Sequence, residues 1–219
     1  MKSNSIANEN VPHFYVRLKH RKMEKWYVNE MQANKSQRKV FNHSDEKAKF
    51  EIDQIGFYQK HLWFHFENES DVGWIPNKFI RKNYRILNLQ ASKDNTKASN
   101  EEKALSVLVH FSRPDFDVYD KLGKITDNLS DATFKSILVN SVGSYKDLTK
   151  KSYRRVRSQI NRNRPVMLWG RRDNQCIVLF GFNHRVFFYF DPEDGLNKTI
   201  TVKELTKLWK RSGYKAISY

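Results

Sequence analysis

Apolar and polar positions alternate with a strand-like period through the first third of the chain. Residues 14–18 and 26–28 are aromatic and β-branched, residues 49–52 alternate, and residues 61–66 and 72–76 form two short apolar runs around a polar turn at 68–71. Short strands at this spacing predict a small barrel over residues 13–89. Residues 1–12 are polar and predicted to be flexible. Residues 90–100 are polar without periodicity and are predicted to be a linker.

Beyond the linker the period becomes helical. Ala104, Leu105, Leu108 and Val109 fall on one face of a helix running from about 101 to 111, which Arg113-Pro114-Asp115 should end. A second helix is predicted near 131–140, with Phe134, Ile137 and Leu138 inward. A third is predicted over 146–161, with Leu148, Val156 and Ile160 on one face and a strongly basic opposite face. Apolar runs at 165–170, 176–182 and 185–190 read as buried strands, the last ending at Asp191-Pro192. A helix over 201–210 and a closing strand over 215–219 complete the pattern. The predicted class is α+β: an all-β domain at 13–89, then helices packed on an antiparallel sheet at 101–219.

Composition narrows the function. The chain has 219 residues, is 39% hydrophobic and contains 15 Phe, 10 Tyr and 5 Trp, which is enough to build a core and excludes global disorder. A formal charge of +16 favours polyanionic partners, namely nucleic acid, anionic lipid or teichoic acid. The single cysteine, Cys176, excludes an internal disulfide. No apolar run is long enough to span a membrane, and the first residues lack the apolar stretch of a signal peptide. Two locations therefore stay open: cytoplasmic, or extracellular and cell-surface after removal of a leader.

The wording of the second half resembles papain-like cysteine peptidases of the C39, bacteriocin-processing type. Residues 163–170, NRPVMLWG after the first asparagine-arginine pair, are similar to that family's G-(K/R)-P-V-hydrophobic strand. Residues 175–183, QCIVLFGFN, resemble its H-x-V-V-L-x-G-Y-D strand. Residues 188–195, FYFDPEDG, resemble V-Y-V-N-D-P-x-x-G, and residues 209–219 resemble the closing W…G-x-x-A-I-x-Y. Residues 99–108, SNEEKALSVL, resemble G-C-E-A-T-A-L-S-M-L, where a cysteine opens the first helix.

In such a site a cysteine at a helix N-terminus has its thiolate stabilised by the helix dipole. A strand histidine completes the ion pair, and an Asp or Asn orients the imidazole. The resemblance puts Asn100 at the nucleophile position, Gln175 at the histidine position and Asp191 at that of the orienting acid. Gln90 is the nearest counterpart of the oxyanion glutamine. An amide supplies no thiolate, and Gln175 shuttles no proton at neutral pH, so the resemblance implies a degenerate pseudoenzyme that binds a peptide or leader peptide in the cleft. Degenerate C39-like domains of some secretion transporters are the family's precedent for binding without cleavage. The alternative is an active peptidase with a rearranged dyad of Cys176 and His184. Strand alternation points Cys176 away from the Gln175 face, toward the core.

Residues 39–80 resemble bacterial SH3-like modules of the GW type, carried by Trp63, Gly73, Trp74 and Ile75. That resemblance implies attachment to a cell wall or lipoteichoic acid through charge and aromatic stacking. The plainer alternative is a structural barrel with core tryptophans. The basic stretch through Arg154, Arg155 and Arg157, continuing to Arg164, Arg171 and Arg172, is either a phosphate-binding surface or the solvated face of a helix. His61 and His65 share a strand face without a third ligand, so no metal is expected, and no cofactor motif is present.

Overall fold

The computed structural model describes residues 6–8, 14–19, 25–41, 48–69, 71–81, 84–89, 97–122, 129–170 and 175–219. The chain divides into two compact units, Met1–Tyr84 and Arg85–Tyr219. Among the described residues, antiparallel sheets and five α-helices make it an α+β protein.

The first unit is built from β1 (Ile6–Asn8), β2 (Phe14–Val16), β3 (Trp26–Val28), β4 (Arg38–Val40), β5 (Phe50–Tyr58), β6 (His61–Glu67) and β7 (Val72–Pro76). The sheet order is β1-β5-β6-β7-β3-β4, with β2 also on β5. Phe64, Phe66 and Ile75 are buried on one face by period-2 alternation, and a bulge in β5 between Ile52 and Gln54 brings Ile52 and Ile55, three residues apart, onto that same face opposite Phe66 and Phe64. The expected closed barrel does not form: among the described residues β4 pairs only with β3. All three β4 residues are exposed, so this strand has no inward apolar set with which to close a barrel. Residues 6–8, expected to be flexible, instead pair with residues 55–57 of β5.

The second unit contains β8 (Arg85–Ile86), α1 (Asn100–Ser112), α2 (Val118–Leu122), α3 (Asp131–Val142), β9 (Lys146–Asp147), α4 (Tyr153–Asn161), β10 (Val166–Trp169), β11 (Cys176–Phe182), β12 (Val186–Asp191), β13 (Leu196–Thr201), α5 (Val202–Lys210) and β14 (Ala216–Ser218). Its sheet runs β13-β12-β11-β10-β14-β9, with β8 also on β11. That β8 pairing places residues 85–89 with the second unit, not with the expected first domain. Ile86 lies opposite Gly181, and the Leu87 amide donates to the Phe180 carbonyl at 2.8 Å.

The helix expected over 146–161 starts only at Tyr153. Lys150 has a left-handed backbone (φ 59°), and the Leu148 amide donates to the Ala216 carbonyl at 2.9 Å, so residues 146–150 dock on β14 instead. Strand β13 was not foreseen. It pairs with β12 along its whole length, from Val186↔Thr201 to Asp191↔Leu196.

Candidate functional site

Helix α1 begins where a capping box dictates. The Ser99 hydroxyl accepts from the Glu102 amide at 3.3 Å, and the Glu102 carboxylate accepts from the Ser99 amide at 2.6 Å. Asn100 is thus the first residue of the helix, half-buried, with Glu101 next to it in the first turn. Behind the capped end, Ala104, Leu105, Leu108 and Val109 are buried to 0% exposure, which fixes the helix on the sheet.

Strand β10 brings Trp169 opposite Cys176. The Trp169 indole N–H donates to the Glu101 carboxylate, and the Cys176 thiol donates to the Asn100 carbonyl at 3.1 Å. Both side chains therefore face the start of α1. Cys176 is 2% exposed and unbridged. Burial pushes its thiol well above the ordinary value, and the carboxylates of Glu101 and Asp191 push it the same way. A thiol so held stays protonated and is a poor nucleophile.

Gln175 precedes β11 and is half-buried. Its carbonyl accepts from the Gly170 amide at 2.8 Å, and its side chain folds over Gly170, whose added Cβ would lie 2.6 Å from the Gln175 Oε1. Any side chain at position 170 would displace it. Strand alternation sets Gln175 on the side of β11 away from Cys176. Val178 pairs with Phe190, so Asp191 follows on the Ile177 side, which Gln175 shares.

Asp191 ends β12. One carboxylate oxygen accepts from the Glu193 amide at 3.1 Å and the other lies 2.8 Å from the Lys198 ammonium. Lys198 also pairs with Asp194. Hydrogen bonding to Asp191, then to Asp194, holds the Lys198 ammonium far above the ordinary lysine range, and Lys198 in turn holds the Asp194 carboxyl below the usual carboxylate range. Of the candidate triad positions, Asn100 meets Cys176 through its carbonyl, Asp191 acts on Cys176 electrostatically, and Gln175 lies on the opposite face of β11 from Cys176. Gln90 lies outside the described residues. Glu101, Trp169 and Lys198 belong to the same neighbourhood and were not singled out in the sequence. Glu101 carried a signal, a carboxylate in the first turn of the helix that should bear the nucleophile.

The rearranged dyad does not form. His184 sits in the exposed turn between β11 and β12, and Cys176 is at the far end of β11. The six remaining strand residues of β11 alone separate them by about 20 Å.

The first unit's expected binding residues are packing residues. Trp63 and Trp74 are both 8% exposed and form a small core with Val28 and Met31 on the second face of the sheet. A Cβ on Gly73 would lie 2.7 Å from the Val28 carbonyl oxygen, so glycine is needed for β7 to approach β3. Glycan stacking on these rings is therefore not available. His65 pairs with Asp53 at 2.7 Å and His61 is exposed, and no metal-holding cluster occurs among the described residues.

On α4, Arg154 and Arg155 are exposed. Arg157 is not a free cation: it donates to the Asn183 carbonyl at 3.0 Å and lies within 5.4 Å of the ring centres of Tyr153, Phe182 and Phe187. It fastens α4 to the β11–β12 hairpin. Arg171 and Arg172 lie outside the described residues.

No family model and no curated protein matches the chain. Among solved structures, the crystal structure of a candidate C39-like peptidase from Bacillus anthracis matches with a TM-score of 0.52 and 16% sequence identity, covering 62% of this chain and 96% of that one. The second unit, and not the first, is large enough to supply that share. The likeness establishes a C39-like peptidase fold.

Proposed function

We propose that the second unit is a catalytically degenerate C39-like domain that binds a peptide and does not cut it. The single observation that carries this reading is the state of the only thiol. Cys176 is buried against the Asn100 carbonyl with its proton held on, while the residue that opens α1 is an asparagine. Gln175, at the histidine position, adds no base.

The test is to incubate the protein with synthetic leader peptides ending in a double glycine, following cleavage by mass spectrometry and binding by calorimetry. Saturable binding without cleavage is the expected result. Cleavage abolished by Cys176→Ala or by a thiol alkylator would overturn the reading.

The first unit is read as an SH3-like, GW-type accessory module of a bacterial cell-surface protein. Its run of short antiparallel strands around Trp63 and Trp74 supports this. Since both indoles are core, any wall attachment runs through charge.

A second reading, a basic binder of teichoic acid or nucleic acid, is favoured by one observation: Arg154 and Arg155 are exposed and make no ion pair among the described residues. It requires binding that weakens steeply with salt.

A further inference from the structure

We propose that the outer edge of β13 takes up an uncharged, extended peptide as an added antiparallel strand. The inference does not depend on what the cleft at the start of α1 binds.

Among the described residues β13 pairs with β12 alone, so its other side is a sheet edge. The hydrogen-bond phase of that edge is fixed. Val202 lies one residue beyond the Val186↔Thr201 pair, and its amide donates to the Arg185 carbonyl at 3.2 Å. In an antiparallel ladder the bonded pairs recur at every second residue, so Ile200 and Lys198 turn their amides and carbonyls toward β12. Asn197, Thr199 and Thr201 turn theirs outward. The Thr201 amide agrees, because it donates to the Glu204 carboxylate at 3.0 Å and not to β12. Glu204 thereby closes the edge at its helix end. Asn197 and Thr199 remain, each half-buried, each with an outward amide and carbonyl that no main-chain group meets among the described residues. A strand placed against them makes four main-chain hydrogen bonds.

Side chains decide which strand fits. Leu196, Lys198 and Ile200 share one face of β13, and Asn197 and Thr199 share the other. A second copy of β13 fits badly. The two-fold register that uses all four bonds sets Asn197 against Thr199 and places Lys198 directly opposite its own copy, where like charges destabilise the pair. Centring the two-fold on Asn197 or on Thr199 leaves half the bonds, because the Gly195 amide is held by the Asp191 carbonyl and the Thr201 amide by Glu204. A carboxylate opposite Lys198 adds little, since Asp191 and Asp194 already hold that ammonium. An uncharged residue avoids the repulsion and displaces neither acid. Leu196 is 46% exposed and Ile200 is half-buried on the same face, so apolar residues two before and two after the centre of the peptide cover them. Threonines suit the positions opposite Asn197 and Thr199. The matching pattern is apolar-Thr-uncharged-Thr-apolar.

The full-length chain is titrated by calorimetry with acetyl-Val-Thr-Thr-Thr-Val-amide. Saturable binding that does not weaken with salt is the expected result. Proline at the second and fourth positions of the peptide removes both of its donors to the edge and should abolish binding. Lysine at the centre should weaken binding about threefold or more, through its position opposite Lys198. In the protein, Thr199→Pro deletes an outward amide at an edge position that tolerates proline and should weaken binding about fivefold to tenfold. Circular dichroism separates loss of binding from loss of fold, and Asn197→Pro is the second variant if Thr199→Pro does not fold. No saturable binding, equal binding of the proline peptide, or folded variants that bind like the wild type would overturn the proposal. So would a dimer in sedimentation that Thr199→Pro dissociates, which would make a second copy the occupant of the edge.

Discussion

The Lys198 ammonium lies 2.8 Å from one carboxylate oxygen of Asp191 and also pairs with Asp194, so the acid at the end of β12 already has a cationic partner from β13. Its charge is balanced within its own hairpin, which fixes the β12–β13 turn through Asp191, Asp194 and the Gly195 amide on the Asp191 carbonyl.

Replacing Lys198 with Met should therefore cost stability at neutral pH. The ammonium is partly exposed, so screening limits the loss to about 0.5–1 kcal/mol. The pH dependence has a defined sign. Lys198 is raised, so its contribution is fully present below the unfolded lysine value and fades only as pH rises toward the folded one. Asp194 is lowered, so its contribution is present above the unfolded carboxyl value and fades as pH falls toward the folded one. The difference in melting temperature between wild type and Lys198→Met should be level from about pH 5 to 9 and shrink in acid. A difference that grows below pH 4 would contradict the ion-pair account.

Cys176 should behave as a core residue. With its thiol proton held on by burial, Glu101 and Asp191, it should resist iodoacetamide at pH 8 in the folded protein and react once the protein is unfolded. Peptide binding should survive Cys176→Ala. Rapid labelling of the native protein, measured by intact mass, would show that the thiol is accessible.

The fold class was legible because periodicity survives packing. The 3.6-residue pattern of Ala104, Leu105, Leu108 and Val109 and the apolar runs of β10 to β12 appear where the sequence puts them. What was not legible depends on tertiary partners. Strand β13, reading LNKTIT, is polar and earns its place only by pairing with β12 and by carrying Lys198 to Asp191. Residues 146–150 look helical in isolation but are captured by β14. The tryptophans of the first unit illustrate the converse. Trp63 and Trp74 sit on the second face of a sheet whose first face is already full, and the sequence alone does not tell a second small core from an exposed stacking surface.

The opposite roles of those tryptophans and of their glycine can be measured. Trp63→Ala or Trp74→Ala should lower stability by about 3–5 kcal/mol through loss of buried aromatic area. Gly73→Ala should also destabilise, because its methyl would meet the Val28 carbonyl at 2.7 Å. Denaturant midpoints decide this, and full stability of Trp63→Ala would mean that its ring is not packed.

Placing a thiol and an imidazole at positions 100 and 175 probes the ancestry of the site. In a Cys176→Ala background, Asn100→Cys puts a thiol at the start of α1, and adding Gln175→His supplies the base. Because strand alternation sets Gln175 on the face of β11 away from Cys176 and the start of α1, the double substitution should alkylate at pH 6 at about the same rate as the single one. A rate higher by about tenfold or more would show that positions 100 and 175 face each other and would overturn that placement.

The arginines of α4 should separate into two classes although they are neighbours in sequence. Arg157 donates to the Asn183 carbonyl and lies over Tyr153, Phe182 and Phe187, so Arg157→Ala removes a hydrogen bond and three ring contacts and should cost about 1–3 kcal/mol. Arg154→Ala and Arg155→Ala remove exposed side chains and should change stability by no more than about 0.5 kcal/mol. If the basic face of α4 binds a phosphodiester polymer, the same two substitutions should each reduce the log–log salt slope of binding by about 1, measured with single-stranded DNA or purified teichoic acid. Arg157→Ala should leave that slope unaltered where the protein stays folded, because its guanidinium is already engaged by the β11–β12 hairpin. A slope that responds to Arg157 and ignores Arg154 and Arg155 would reverse the assignment of which side of α4 meets a polyanion.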